Sequence, residues 1–359
     1  MAENIVVGAG LGGLVAAINL RREGREVLVL ERENRVGGSS LYHPSPQGTP
    51  ADPDALKGYT GIDFRPCFKR FEGRSVVYGE MVRLDTEAIS SWLLERGPRS
   101  TSLDSYLYNI AVEEGVRFEF GHTLYSSDDF LGLPPDTIVS TGLYFEGFDA
   151  LRVPYLTSFH YVARQTTDDK DSSHVTIYHG EFTRDYAYTT SINGVQFAHV
   201  FQRRPIGKDT LRAFEEQIFI SEGLEFANWT HFTFPVPAAT IKNPRLFAGD
   251  KILAGTLAGC MESYLFFGLL GAMVSGKIAA MAVTDKDRAL REFRLATRKF
   301  AGAYLARKLA NLVPHSFQKP LLLFGLRNLF KVPAAARMAT EAMPGWLNCA
   351  RAKRDGAGC

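Results

Sequence analysis

Gly8-Ala9-Gly10-Leu11-Gly12-Gly13 follows directly on the β-branched run Ile5–Val7, and Leu14, Ala17, Ile18 and Leu20 then recur at helical spacing. In such a turn Gly8 permits the sharp exit from a strand, Gly10 lets the backbone approach a diphosphate, and Gly13 lets the helix pack closely on the strand. The amides of Leu11 and Gly12, at the helix start, face the anion. Gly24 closes the helix, and Val27–Leu30 forms a second apolar strand that ends in Glu31, 18 residues after Gly13. An acidic side chain there accepts hydrogen bonds from ribose hydroxyls and argues against a 2′-phosphate. Glycine turns alone are common, but strand, turn, helix and acid-tipped strand in register read as a dinucleotide site.

A second glycine pair lies in Glu31-Arg32-Glu33-Asn34-Arg35-Val36-Gly37-Gly38-Ser39-Ser40, and Leu246-Phe247-Ala248-Gly249-Asp250 precedes Gly255, Gly259, Glu262 and Ser275–Ala280 far downstream. These two motifs resemble those of the glutathione-reductase-type flavoproteins, particularly the phytoene desaturase, amine oxidase and geranylgeranyl reductase branches. The resemblance implies FAD as the cofactor, with Arg32, Gly37, Gly38 and Ser39 around its pyrophosphate and ribityl chain. It also implies a strand ending in Gly249-Asp250 that presents the aspartate to the ribityl chain. The helix start after Gly259 would face the pyrimidine end of the isoalloxazine, where its dipole stabilises anionic reduced flavin. Arg35 reads equally as a phosphate partner or a solvated arginine. By the same analogy His122–Leu124 lies near the adenine, and Ser140-Thr141-Gly142 takes the place of a strand end that reads Ala-Thr-Gly in relatives. The resemblance covers residues 4–40, 99–142 and 245–283.

With a flavin carrying the redox step, the protein supplies orientation, electrostatics and water exclusion. Glu262 and Tyr264 are the catalytic candidates, as a carboxylate and a phenol able to move a proton near the flavin. Glu262 reads as readily as a helix-start carboxylate held by its own dipole, and Tyr264 as core. Aromatic residues crowd the middle of the chain, among them Tyr155, Phe159, Tyr161, Tyr186, Tyr188, Phe201 and Phe234. They suggest an apolar, planar or isoprenoid-like substrate, or ordinary sheet packing. His174, His179, His199 and His231 offer acids or bases, and none is spaced as a metal site. There is no second glycine fingerprint, so NAD(P)H, ferredoxin and quinone all stand as electron partners. The Asp-Gly motif usual in hydroxylases before the strand ending near 142 is not found, which argues against monooxygenase chemistry. The expectation is an FAD-dependent reductase or dehydrogenase acting on a carbon–carbon bond of a lipid, prenyl, acyl-thioester or polycyclic substrate. A monooxygenase or amine-oxidase-like enzyme, or a non-redox flavoprotein such as a cyclase, is the alternative.

The elements that must hold these residues give an α/β chain. Residues 1–150 and 240–284 read as a discontinuous Rossmann-type domain, 151–239 as an inserted antiparallel β-rich substrate domain, and 285–359 as a helical tail. Within them, 42–59 reads as loop, Thr86–Leu94 as helix, Ser102–Glu114 as a helix capped by Ser102, and Leu265–Val283 as an apolar helix. At 359 residues the chain is long enough for two joined cores. A net charge of +2 argues against nucleic acid as a partner. Four cysteines without CxxC spacing read as reduced thiols of a cytoplasmic protein, and the N-terminus shows no export signal. After residue 284 the chain carries 15 Lys plus Arg against 5 Asp plus Glu, a net +10, leaving about −8 before it. Residues 317–331 mix apolar and basic side chains, as interfacial helices do. Contact with the inner face of a membrane and docking on the protein's own acidic face are the two readings.

Overall fold

The computed structural model describes residues 3–38, 46–87, 90–237, 243–261 and 266–329. Two sheets dominate. The first has six strands in the order Phe247–Ala248, Lys251–Leu253, Ile138–Val139, Asn4–Val7, Val27–Glu31 and Arg117–Phe120. Its inner strands pair in parallel, with Val6 against both Val29 and Ile138, and Leu253 against Val139. Because both faces are covered, these strands are short apolar runs without alternation. The helix Leu11–Arg22 buries Leu11 through Leu20 against the sheet and against the later helix Leu269–Ala282. Small residues allow that approach: a Cβ on Gly276 would lie 2.4 Å from the Gly12 carbonyl oxygen.

The second sheet has seven strands, in the order Thr230–Val236, Leu156–Thr166, Val195–Gln202, Thr183–Ile192, His174–Gly180, Glu72–Val77 and Glu80–Leu84. All neighbours are antiparallel except His174–Gly180 with Glu72–Val77. One face is covered by the helix Lys208–Glu222 through Phe214 and Ile218. The hairpin 72–84 is therefore part of this sheet, although the sequence reading leaves it with the dinucleotide half. Hydropathy along a strand identifies a half-buried face but not which distant strand will share it.

Local expectations fail where turn chemistry or pairing overrides pattern. Within 42–59, expected to be loop, Pro46–Pro50 is a strand and Pro53–Thr60 a helix whose N-cap Asp52 accepts from the amides of Asp54 and Ala55. In place of a helix over Thr86–Leu94, Ser91–Glu95 is a strand paired with Pro46–Pro50. The helix Leu103–Glu113 forms as expected, with the Ser102 hydroxyl accepting from the Ser105 amide at 3.1 Å. Beyond residue 284 the described chain is helical: Lys286–Thr297, Phe300–Ala310 and His315–Leu329. None of the described helices is long and apolar enough to cross a membrane.

Candidate functional site

A cavity of about 990 Å³ runs from the first glycine turn, at the carboxyl edge of the parallel sheet, across the inner face of the antiparallel sheet to the C-terminal helices. Open parallel sheets bind ligands at that edge, where the strand order reverses.

At the first end the glycines of the turn separate into two kinds. A Cβ on Gly8 would lie 2.4 Å from the Ser140 carbonyl oxygen, one on Gly12 2.7 Å from the Ser140 hydroxyl, and one on Gly13 1.9 Å from the Gly8 carbonyl oxygen. Internal packing requires these three. Gly10 has an ordinary φ of −79° and nothing within 4 Å of where its Cβ would be, and it lines the cavity. Neither conformation nor packing demands glycine there, so its smallness keeps the cavity open to a ligand. The helix that starts at Leu11 has no side-chain cap and no acid in its first turn, so its free amides and dipole are available to an anion.

Glu31 lies beside this turn. Its carboxylate accepts from the Ala9 amide at 2.6 Å and the Glu33 amide at 2.9 Å, and each oxygen keeps further acceptor capacity on the cavity side. Burial raises its pKa against the lowering effect of those two amides. The Arg32 guanidinium lies 3.6 Å from the Tyr144 ring centroid, and with His122 and Leu124 these residues wall this end of the cavity. The first end thus combines a flat cationic surface, a hydroxyl acceptor and an amide-lined turn, which suit a base, a ribose and a diphosphate in sequence.

The middle is lined by Gly37, Gly38, Thr141, Gly142, Gly255 and Thr256. Gly37 (φ +81°) is pressed against Gly97, whose carbonyl oxygen would lie 2.4 Å from an added Cβ. Arg96, held at 2.8 and 2.9 Å by both oxygens of buried Asp104, also faces this part. The Thr141 hydroxyl is buried without a hydrogen-bond partner among the described residues.

Several expected positions lie elsewhere. Gly249 and Asp250 form the turn between antiparallel strands Phe247–Ala248 and Lys251–Leu253, at the opposite end of the sheet. There the Asp136 amide donates to the Asp250 carbonyl, and the exposed Asp250 carboxylate pairs with Lys251. The strand that reaches the cavity is the next one, and it delivers Gly255 and Thr256. The sequence offers both as a strand followed by a glycine, and only the register with Ile138–Val139 distinguishes them. Gly259 (φ +79°) is required by Pro244, whose Cα would lie 2.9 Å from an added Cβ, and does not line the cavity. Gly13 acts through packing alone. Ser39, Glu262 and Tyr264 lie outside the described residues.

The far end is aromatic and holds groups that the sequence reading scattered or missed. His160, His199, Tyr186, Tyr188, Phe201 and Phe234 face the cavity from four adjacent strands, with Phe266 opposite. His160 Nδ1 lies 2.8 Å from His199 Nε2, and His199 Nδ1 lies 2.9 Å from the Tyr188 hydroxyl. Burial holds His160 well below its ordinary pKa and lowers His199 to about 3, while burial and Arg307 lower His179 to about 4. All three are neutral imidazoles near neutral pH. Arg307, from the helix Phe300–Ala310, forms a buried ion pair with Asp185, fastening the C-terminal helices over this end. His174, by contrast, pairs with Glu222 outside the cavity, and His231 packs on Phe159 and Tyr161. Among the described residues no three His, Cys, Asp or Glu side chains gather as metal ligands.

Residues 6–56 match the NAD(P)-binding Rossmann-like domain family. Flavin-containing monooxygenase FMO GS-OX2 of Arabidopsis thaliana is 34% identical over 123 residues, which are 32% of this chain and 26% of that protein. FMO GS-OX4 of the same plant is 62% identical over 39 residues, 11% and 8% of the two chains. The chain thus spans 26% and 8% of the length of these two relatives. Among solved structures, a geranylgeranyl bacteriochlorophyll reductase-like protein from Thermoplasma acidophilum superposes with a TM-score of 0.65 at 13% identity, over 95% of this chain and 96% of the other. The p-nitrophenol 4-monooxygenase PnpA from Pseudomonas putida DLL-E4 gives 0.62 at 14%, over 95% and 97%. HpxO from Klebsiella pneumoniae, an R204Q protein complexed with FAD, gives 0.58 at 15%, over 95% and 98%. At such identities the likeness is one of fold: a Rossmann-like sheet joined to a second sheet, as in FAD-binding oxidoreductases.

Proposed function

We propose that this chain is an FAD-dependent oxidoreductase that acts on an apolar substrate held against the antiparallel sheet. The observation that carries the reading is the continuity of one cavity, from a glycine turn open to a diphosphate to an aromatic chamber. FAD fits the first part by the chemistry of the donors. Gly10 and the uncapped helix start suit its diphosphate, Glu31 its ribose hydroxyls, and Arg32 with His122 and Leu124 its adenine. Gly37, Gly38, Arg96, Thr141, Gly255 and Thr256 would hold the remainder toward the chamber. When bound, the flavin supplies the electron-pair transfer. The protein's own contribution is to exclude water with Phe201, Phe234 and Phe266 and to handle protons with neutral imidazoles.

Reduction or dehydrogenation of a carbon–carbon bond suits the aromatic lining and the fold shared with a geranylgeranyl reductase-like protein. Monooxygenation is the second reading, favoured by the flavin-containing monooxygenases among the curated relatives and by the fold shared with PnpA. Anaerobic photoreduction followed by separate addition of candidate substrate and of oxygen distinguishes them. Faster flavin reoxidation by an unsaturated lipid than by buffer supports the first reading. Reoxidation that requires oxygen, with one of its atoms found in the product when substrate and oxygen are supplied together, supports the second. Colourless protein that takes up no added FAD would sink both.

The exposed side of the C-terminal helices supports a route for the substrate from a membrane surface. Leu321, Leu322 and Leu326 line the cavity, while Leu305, Leu309, Leu312, Phe317 and Phe324 are exposed, Leu312 by 76%. Arg327 pairs with Glu80, and the Tyr78 hydroxyl donates to Gln318, so one side of the helix His315–Leu329 docks on the hairpin 72–84. The other side exposes Phe317 and Phe324, and the preceding segments expose Leu305, Leu309, Leu312, Lys308 and Arg298, a combination that suits an anionic membrane surface from which an apolar substrate is drawn. Co-sedimentation with phosphatidylglycerol vesicles, lost in Leu312→Asp/Phe324→Asp, is the expected result. Equal recovery with and without vesicles would refute this route.

A further inference from the structure

The strand register assembles a chain of three side chains that no single strand announces. Tyr188 is directly opposite His199, while His199 is opposite Val162, two residues from His160. With a period of two, Tyr188, His199 and His160 share the face that lines the cavity. The two contacts already given, 2.8 and 2.9 Å, join them into Tyr188–His199–His160. One atom at the end of this chain meets no partner among the described residues. His160 is 93% buried by its 7% exposure, lines the cavity, and its Nε2 meets no hydrogen-bonding group among the described residues. Phe201 and Phe232 stack on the ring and Phe234 meets it edge-on, so the ring cannot turn that nitrogen toward the solvent. A buried donor or acceptor left unpaired is costly, and a cavity wall is where a ligand satisfies it.

We propose that His160 Nε2 binds one oxygen of the substrate, a hydroxyl or carbonyl group on an otherwise apolar body, and that the His199–Tyr188 pair relays a proton to or from it. This rests on the reading of the chamber as the substrate site of a flavin enzyme. Each of two arrangements satisfies both internal bonds. With the Tyr188 hydroxyl donating to His199 Nδ1, His199 Nε2–H donates to His160 Nδ1, and His160 Nε2–H faces the substrate as a donor. With His199 Nδ1–H donating to the Tyr188 oxygen, His160 Nδ1–H donates to His199 Nε2, and His160 Nε2 faces the substrate as an acceptor.

Passing from the first to the second delivers one proton. The His160 Nε2–H bond breaks as a substrate oxygen–hydrogen bond forms. His199 Nε2–H breaks as His160 Nδ1–H forms, Tyr188 O–H breaks as His199 Nδ1–H forms, and the tyrosine oxygen regains a proton from a solvent acid, hydronium or a buffer acid, reaching the open side of the cavity, whose conjugate base returns to solvent. No atom of the chain changes oxidation state, and the reverse sequence removes a proton. Burial keeps both imidazoles neutral, which leaves each with the one donor and one acceptor such a relay needs. His231 is the other titratable group that bears on His160, while Arg307, Asp185, His179 and Tyr186 line the same chamber, and Phe201, Phe232 and Phe234 pack on the His160 ring. His160 is thus the catalytic residue of the proposal, and His199 and Tyr188 are positioning residues.

Nitrogen-15 NMR of histidine-labelled protein as purified tests the chain without turnover. A coupling across the His160 Nδ1–His199 Nε2 hydrogen bond is expected, together with a shift of the His160 ring signals in Tyr188→Phe, which removes only the hydroxyl. Calorimetry with 4-tert-butylphenol and tert-butylbenzene tests the ligand. The phenol should bind on the order of tenfold more tightly, and His160→Phe, which keeps the stack, should erase that preference while retaining the hydrocarbon. His160→Gln should restore part of it. No cross-bond coupling, an unmoved His160 signal in Tyr188→Phe, equal affinities or no binding of the phenol would each overturn the proposal. Flavin content is read on the same samples. Flavin-free protein that still prefers the phenol would refute the cofactor reading and leave the relay, and flavin-bound protein without the preference would do the reverse.

Discussion

The two ends of the cavity are built by different physics. At the glycine turn the lining is mostly backbone, and residue identity is set by distances of closest approach: a methyl group on Gly13 or Gly8 would run into a carbonyl oxygen. At the aromatic end the lining is side chains, and identity is set by which rings face each other across Leu156–Thr166, Val195–Gln202 and Thr183–Ile192. The first kind of site leaves a spacing pattern in the sequence. The second leaves alternation, which many unrelated sheets share.

The largest way to break this contrast is Gly13→Val. Its Cβ would meet the Gly8 carbonyl at 1.9 Å, so the turn must open, and a loss above about 4 kcal/mol, read as insoluble or premelted protein, is expected. Asp185→Ala attacks the other end by removing the carboxylate from beside the buried Arg307 guanidinium. A destabilisation of about 3–5 kcal/mol in chemical denaturation is expected, with flavin retention intact in the folded fraction. Gly10→Val separates ligand from fold. Nothing opposes the new side chain, so the melting temperature of the flavin-free protein should hold while FAD affinity falls by roughly a hundredfold, about 2.7 kcal/mol. Flavin retained by Gly10→Val through gel filtration would mean that the turn is not the phosphate site.

Acid should loosen the aromatic end first. His199 and His179 have folded-state pKa values of about 3 and about 4, below the ordinary 6.5, so the unfolded chain binds more protons between those limits. Their contribution is complete above about pH 6.5 and declines as pH falls toward 4, by up to about 1.4 kcal/mol per pH unit for each histidine. Thermal melts from pH 7 to 4.5 should show that decline, and His199→Phe should flatten it. An unchanged slope in that variant would place the titration elsewhere. The smallest effect on the cavity belongs to Asp250→Ala: far from the cavity, it removes the carboxylate beside the buried Lys251 ammonium, which keeps the Leu133 carbonyl, so stability should fall by about 1–2 kcal/mol with flavin content untouched. Loss of flavin in that variant would contradict the sheet register described above.

The sequence marks the strand, turn, helix and acid-tipped strand of residues 4–31, because the glycine spacing, the apolar runs and Glu31 are all local consequences of one βαβ geometry. It also marked Gly37 and Gly38, whose positive φ values glycine alone adopts freely. It pointed to Gly249-Asp250 where the strand that reaches the cavity ends at Gly255-Thr256, since both segments read as strand followed by glycine. Only pairing with Ile138–Val139 chooses between them. Tertiary structure alone decided that residues 72–84 join the aromatic sheet, that Arg307 meets Asp185 across 122 positions, and that His160, His199 and Tyr188 share one face. These are contacts between residues far apart in the chain. Their formation depends on strand order and register, which period-two patterns leave undetermined until the sheets have assembled.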